Sequence, residues 1–344
     1  MSIQHAIDQV SRFEHLDHAT MTQIMQEIMS GQAEPMQVSA LLLGLHMKGE
    51  TVEEITAAAQ VMRSLATQVH LPNMELVDLV GTGGDGAHLF NVSTCASFVV
   101  AAAGGKVAKH GNRSVSSTSG SADVLEAAGV YLNLDADAVQ RCVEALGVGF
   151  MFAPQHHSAM RHAVAPRQAL GIRTLFNLLG PLTNPAAAQH QLLGVYSAKL
   201  VTPLAKVLGE LGVRHALVVN GAEGLDEISI AGPTHVAELK DGAVHEYTIS
   251  PEDFGLDRQS LETLKVASAQ ESLQLMREVL NNQAGPALDM VLLNAGAALY
   301  AADIADSMIE GVALAQDAIA SGQAMEKLKA LVSLTQSLNS GQTA

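Results

Sequence analysis

The stretch ELVDLVGTGGDGAHLFNVSTCASFVVAAAG, residues 75–104, decides the fold. It opens on a short apolar run and passes through four glycines within six residues, Gly81, Gly83, Gly84 and Gly86. It then continues into a helical run from about Ser93. Strand, loop and helix in that order build parallel sheets covered by helices. Glycine lets backbone approach an anion closely and take positive φ. Successive amides in such a turn form an anion-binding nest, and the following helix presents its positive end. The loop is not the dinucleotide fingerprint, because no acidic residue ending a second strand follows. It is not a Walker loop either, because no G-K-[ST] follows. Taken alone, such a cluster serves equally as a plain tight turn.

Outward from this stretch the pattern repeats. KVAKHG (106–111) reads as a second strand, followed by a Ser-rich loop and a helix around DVLEAAG. Val139, Cys142, Val143 and Leu146 share a helical face, and VGFMFA is a third strand. QLLGVYS (191–197) and HALVVNG (215–221) are further short apolar runs between helical segments. THVAEL and VHEYTIS flank KDGA as a hairpin. The remainder to about Leu338 reads as helical, and the last residues, NSGQTA, as a frayed tail. The fold class is therefore α/β, with a mostly parallel central sheet flanked by helices.

The first 68 residues carry helical signals only. Met21, Ile24, Met25, Ile28 and Met29 form a stripe closed by Gly31. Pro35 opens a Leu-rich helix that Gly49 ends, and Thr51 with Glu54 makes a capping box for the next. The expected division is a helical domain over 1–70, joined by helices from about 165–185, and an α/β domain over 71–344.

Composition narrows the functional classes. The chain has 344 residues, 48% apolar and 3% aromatic, with no Trp and a net charge of −16. A general nucleic-acid binder needs a basic face, so no nucleic-acid partner is expected. No apolar stretch of about 18 residues marks a membrane span, and the first residues lack a signal core. Cys95 and Cys142 read as buried thiols of a cytoplasmic protein.

In a sheet of this kind ligands bind beyond the carboxyl ends of the strands. That rule selects the loops after Val80, Lys109 and Val219. The second, KHGNRSVSSTSGSAD (109–123), offers the cationic or potentially cationic groups Lys109, His110 and Arg113 amid Asn112 and several serines. It can wrap a diphosphate, or simply be a solvated Ser-rich loop. The third, GLDEIS (224–229), carries Asp226 and Glu227. Adjacent acids are usually a solvated turn, but beside a bound diphosphate they imply Mg²⁺ between the two anions. Asp85 in an anion loop would repel phosphate, so it suits a sugar hydroxyl or an orienting bond. Arg167 and Arg173 lie in an apolar region bent by prolines, as surface residues or carboxylate clamps. His156, His157 and His88 have no metal-ligand spacing and read as ordinary polar residues.

Together GTGGD, NVST, KHGNRSVSS…GSADVLE and RTLFNLLGPLTNP resemble the anthranilate phosphoribosyltransferase family, nearly end to end. Its architecture is similar to that of the pyrimidine nucleoside phosphorylases. The resemblance implies transfer of phosphoribosyl from 5-phosphoribosyl 1-diphosphate to the amine of anthranilate, in tryptophan biosynthesis. It implies Mg²⁺ and a homodimer formed through the helical domain. Carried over, Gly81, Gly84, Asp85, Asn91, Val92, Ser93 and Thr94 would meet the donor, with Ser93, Asp226 and Glu227 as metal ligands. Lys109, His110, Gly111, Asn112, Arg113, Ser114, Val115, Ser116 and Ser117 would wall the diphosphate and phosphoribosyl group, and Ser121 would add a contact. Asn112 and Arg167 would hold anthranilate, and Lys109 and Asn112 would be the catalytic pair. At Leu89 the family commonly carries a hydroxyl toward the donor, a bond Leu cannot make. The rival readings are a pyrimidine nucleoside phosphorylase-like enzyme, which would hold phosphate rather than a metal diphosphate, and a non-enzymatic nucleic-acid-binding relative.

Overall fold

A computed structural model describes residues 2–114 and 118–342. The site assignments for Val115, Ser116 and Ser117 lie outside the described residues.

Four helices come first: α1 (Ile3–Ser11), α2 (His18–Met29), α3 (Pro35–Lys48) and α4 (Val52–Leu65). Local chemistry sets their ends. Asp17 accepts the Thr20 amide at 2.7 Å to start α2. Thr51 Oγ1 accepts the Glu54 amide at 3.2 Å while Glu54 Oε2 accepts the Thr51 amide at 2.8 Å, the reciprocal box at the start of α4. Glu54 also receives the Leu16 amide and Lys48, so the buried acid ties α3, α4 and the α1–α2 loop together.

The α/β part then runs β1 (Leu76–Gly81), α5 (Val92–Ala102), β2 (Lys106–Gly111), α6 (Ser121–Ala128), α7 (Ala136–Leu146), β3 (Val148–Phe152) and α8 (Ala153–His156). It continues with α9 (Arg161–Leu170), α10 (Leu175–Leu179), β4 (His190–Gly194), α11 (Val201–Glu210), β5 (His215–Gly221), β6 (Thr234–Lys240) and β7 (Ala243–Ile249). Four helices close the chain: α12 (Ala269–Leu280), α13 (Pro286–Ala301), α14 (Met308–Ala320) and α15 (Gln323–Gln342).

The described strands form one seven-stranded sheet in the order β3-β2-β1-β4-β5-β6-β7. β3, β2, β1, β4 and β5 are parallel; β6 and β7 add an antiparallel hairpin. Its turn places Asp241 at φ 52 and Gly242 at φ 75, the left-handed pair that a two-residue hairpin needs. After β1 the chain winds one way through β2 and β3, then returns to lay β4 on the other side of β1. The order therefore reverses at the β1–β4 boundary, and the crevice at the carboxyl ends of these two strands is where such sheets bind ligands.

Two apolar cores flank the sheet. One joins α5, α6, α7 and α12–α15 to one face. The other joins α1–α4, α9 and α10 to α11 and the opposite face of β4 and β5. Leu193 and Val218 of the sheet thus share a core with Met21 and Leu41 of the first helices. Among the described residues no helix is long and apolar enough to cross a membrane.

Two expectations fail. Residues 250–268 are not helical beyond the short 3₁₀ turns Pro251–Phe254 and Glu262–Leu264. Pro251, and Gly255 in the left-handed region (φ 73), stop a helix there. The Leu264 carbonyl and Val266 amide pair instead with Phe90 and His88 in the glycine-loop segment. The tail is also not frayed from residue 339, since α15 continues to Gln342. The helix packs on α5 and α7, and Asn339 and Ser340 cost only tenths of a kcal/mol each and Gly341 about 1 kcal/mol in a helix already anchored.

Candidate active site

The site is built where the β5 loop crosses the ends of β1 and β4. A Cβ on Gly194 would collide with the Asp226 backbone, and one on Gly81 would collide with its carboxylate. Glycine at both strand ends is what lets the acidic loop lie in the crevice. Asp226 Oδ2 then accepts the Gly83 amide at 2.7 Å and holds the glycine loop open. Gly83, Gly84 and Gly86 all have positive φ (68, 76 and 76), which a side chain would strain. Asp85 accepts the Ala87 amide at 3.1 Å, so it does orient the loop.

Glu227 reaches the start of α5, where its Oε1 accepts the Ser93 amide at 3.2 Å. Lys109, buried at the end of β2, donates to the Leu79 carbonyl and to Ser93 Oγ (3.3 Å). Burial lowers its pKa, and Asp78 and Glu227 oppose that shift. Asp226 is raised by burial and then by Asp85; Glu227 is raised by burial and then by Asp226, with Lys109 opposing. Asp85, Asp226 and Glu227 thus crowd one edge with a single buried ammonium. Such an excess of negative charge fits a divalent cation. The three are not a closed cage: among the described residues the one group of three donor atoms lying mutually within 4.8 Å is elsewhere, at His190, His215 and Asp303. A carboxylate pair completed by water and phosphate oxygens suits Mg²⁺.

Asn91 is placed differently from a free donor ligand. Its Nδ2 donates to the Ser119 carbonyl at 3.1 Å, and its Oδ1 accepts from Ser119 Oγ (2.9 Å) and Ser272 Oγ (2.7 Å). The side chain clamps the glycine segment to the Ser loop and α12. Val92 and Thr94 are buried, and the Thr94 hydroxyl has no partner among the described residues. Leu89 bridges Lys265 and packs against the large core, which accounts for an apolar side chain there.

The Ser loop folds back on Asp123, which accepts the Ser114 and Gly120 amides at 2.9 Å each. Arg113 pairs with Glu126 (2.7 Å) and Asp123 (3.1 Å) and lies over Phe152. Ser121 Oγ donates to the Asn112 carbonyl, while the Asn112 side chain is exposed. Arg173 stacks on Tyr196 at 3.8 Å, its guanidinium beside Gly84, and Arg167 lies half-buried over Phe176.

His110 is not cationic here. Successive residues of a strand face opposite sides, so its ring leaves the Lys109 side and packs edge-on against His157 at 5.0 Å. Burial and the neighbouring His157 lower its pKa to about 3, so the ring is neutral. His156 and His157 are likewise buried rather than solvated, and ring nitrogens of all three lack partners among the described residues. Residues 110, 156 and 157 therefore form a buried imidazole cluster that residue spacing did not reveal.

Asp78 was also missed. It is fully buried in β1 and accepts from the His110 amide (3.2 Å) and Asn184 Nδ2 (2.7 Å). Burial raises its pKa to about 6, against the opposing charge of Lys109. A lone acid inside an apolar strand was the available signal.

The fold and site define a class: a two-part glycosyl transferase, with a helical bundle set against an α/β domain whose switch-point loops bring glycine amides, carboxylates and a buried Lys to one edge. The family described as "Glycosyl transferase family, helical bundle domain" matches residues 4–66, and "Glycosyl transferase family, a/b domain" matches residues 73–325. The anthranilate phosphoribosyltransferase of Chromohalobacter salexigens is 59% identical over 98% of this chain and 98% of its own length. That of Thioalkalivibrio sulfidiphilus is 59% identical over 98% of this chain and all (100%) of its own. The crystal structure of the Thermus thermophilus enzyme has TM-score 0.91 at 43% identity, covering 96% of this chain and 99% of that one. The Saccharomyces cerevisiae enzyme in complex with PRPP and Mg has TM-score 0.89 at 28% identity, covering 97% and 98%. The chain belongs to the anthranilate phosphoribosyltransferase family.

Proposed function

We propose that this chain transfers the phosphoribosyl group of 5-phosphoribosyl 1-diphosphate to the amine of anthranilate, releasing diphosphate. The observation that carries the reading is the Asp226–Glu227 loop inserted between β1 and β4, against the glycine loop, the start of α5 and Lys109. Two carboxylates at an anion loop act together with a polyanion only through a cation. Asp226, Glu227 and Ser93 would hold Mg²⁺, which when bound neutralises charge on diphosphate.

The chain's own residues do the rest. Gly81, Gly84 and Asp85 meet the donor through loop amides and a carboxylate aimed at a sugar hydroxyl. Lys109, beside Ser93, stabilises negative charge growing on the leaving group as C1–O breaks. Exposed Asn112 and half-buried Arg167 hold anthranilate. Arg167 forms no ion pair among the described residues, which suits a ligand carboxylate. The anthranilate amine attacks C1, its electron pair forms the C–N bond, the C–O pair leaves with diphosphate, and the surplus amine proton passes to water or to the departing diphosphate. Positioning and charge stabilisation carry the rate.

The protein acts as a homodimer in the cytoplasm, with neither nucleic acid nor membrane as partner. Met36, Leu43 and Met47 are exposed along α3, with Phe13 beyond the end of α1, an apolar face on the helical part that supports pairing there. The test of function is loss of anthranilate fluorescence on mixing with 5-phosphoribosyl 1-diphosphate and Mg²⁺. The reaction should stop in chelator and resume with excess Mg²⁺; unchanged fluorescence at saturating donor refutes the reading.

A further inference from the structure

A second polar constellation lies at the opposite end of the sheet. His190 and His215 are the first residues of β4 and β5 and are Cα partners in the parallel register. Both rings are buried. Strands of this length put them about 13 Å from the catalytic edge. His215 Nδ1 lies 2.7 Å from Asp303 Oδ1, and His190 Nδ1 lies 3.7 Å from Asp303 Oδ2. The two remaining ring nitrogens each face another carboxylate: His190 Nε2 is 3.2 Å from Glu75, and His215 Nε2 is 3.2 Å from Glu238. Asp303 sits in the turn after α13 at φ 55, a left-handed position that aims its half-exposed side chain back over the strand ends.

We propose that His190, His215 and Asp303 bind one divalent first-row transition ion of the Zn²⁺ type. Bonds of about 2.0–2.1 Å in a tetrahedral site put ligand atoms about 3.3 Å apart. The 2.7 and 3.7 Å contacts are made to the two different oxygens of Asp303, and one donor atom from each of the three residues lies within 4.8 Å of the others, so binding draws them together by up to about 1.5 Å. Metal-bound imidazoles commonly donate their other N–H to a carboxylate, which orients the ring; Glu75 and Glu238 stand at those positions. Two imidazoles also select against Mg²⁺ and Ca²⁺, which take oxygen ligands. The half-exposed Asp303 leaves a path for the ion and a place for water as fourth ligand. Binding has a definite cost. His190 Nδ1 now bonds the Ala301 carbonyl at 2.7 Å, and its proton must move to Nε2, where Arg214 now approaches at 3.2 Å. Arg214 is already paired with Glu75 and can withdraw onto it. The ion would staple the end of α13 to two central strands.

The site is tested on full-length protein stripped with chelator and held in millimolar Mg²⁺, which occupies the oxygen site at the other edge. Co²⁺ and then Zn²⁺ are titrated, reading the visible Co²⁺ bands and the melting temperature. One equivalent should bind with tetrahedral Co²⁺ bands and raise the melting temperature. Asp303→Asn keeps a residue that accepts the left-handed backbone and should weaken binding at least 10-fold; His215→Gln should do so independently. Absence of binding at 100 μM ion, or Asp303→Asn titrating like the parent, overturns the proposal and leaves the cluster an ionic strut.

Discussion

Lys109→Met removes one buried ammonium and little volume. In the parent that ammonium donates to the Leu79 carbonyl and Ser93 Oγ and faces Asp78 and Glu227. Taking one partner from a buried charge cluster costs about 3–5 kcal/mol. A chain of this length has an unfolding entropy of about 0.7 kcal/mol per degree at its midpoint, so the melting temperature should fall by about 4–7 °C at pH 8. The loss depends on pH in a defined sense. Asp78 and Glu227 have folded pKa values above their unfolded ones, Asp78 at about 6. Raised carboxyls leave the fold unpenalised below the unfolded pKa and destabilise it as pH rises through the folded pKa. Without Lys109 both pKa values rise further. At pH 5 both acids are protonated in the variant, and only the lost hydrogen bonds remain, about 1–2 kcal/mol or about 2 °C. Scanning calorimetry at pH 5 and pH 8 measures the difference, and the anthranilate fluorescence assay should show turnover down about 10²–10³-fold. An equal loss of stability at both pH values would falsify the charge-cluster account.

Gly194→Ala places a methyl against the Asp226 backbone, so the acidic loop must shift by about 1.5 Å or more; turnover should drop at least about 10²-fold while stability falls by about 1–3 kcal/mol. Steady-state kinetics with a parallel melt check this, and parent-like turnover refutes the crevice geometry. Asn184→Ala strips the 2.7 Å bond to Asp78, the 2.8 Å bond to the Ala108 carbonyl and the acceptor of the Ala186 amide. It should cost about 3 kcal/mol in urea unfolding at pH 8. The cost should shrink below pH 6, where Asp78 takes up a proton; a constant cost would place the loss elsewhere.

Strands were legible where the chain carries a short apolar run between breakers. KVAKHG and HALVVNG match β2 and β5 residue for residue. Of the loops that the carboxyl-end rule picked, the glycine and acidic loops meet at Asp226, and the Ser loop joins the glycine segment through Asn91 and Ser119. What failed depends on distant partners. Residues 250–268 look helical locally, but their backbone groups bond to His88 and Phe90. The roles of Gly194 and Asn184 exist only once four segments have met. The direction of His110 is a different case: it follows from its being next to Lys109 in a strand, and alternation alone would have sent the ring to the other face.

The bond from the Gly83 amide to Asp226 spans 143 residues. At about 5–20 residues per second, a ribosome delivers the carboxylate about 7–30 s after the glycine loop. Until then the loop's positive-φ glycines have no anchor and Lys109 lacks Glu227. A chain that stalls or is cut before β5 carries the whole glycine and serine motif yet cannot shape it. Incomplete molecules therefore lack the bond that ties the glycine loop to the acidic loop in the finished chain.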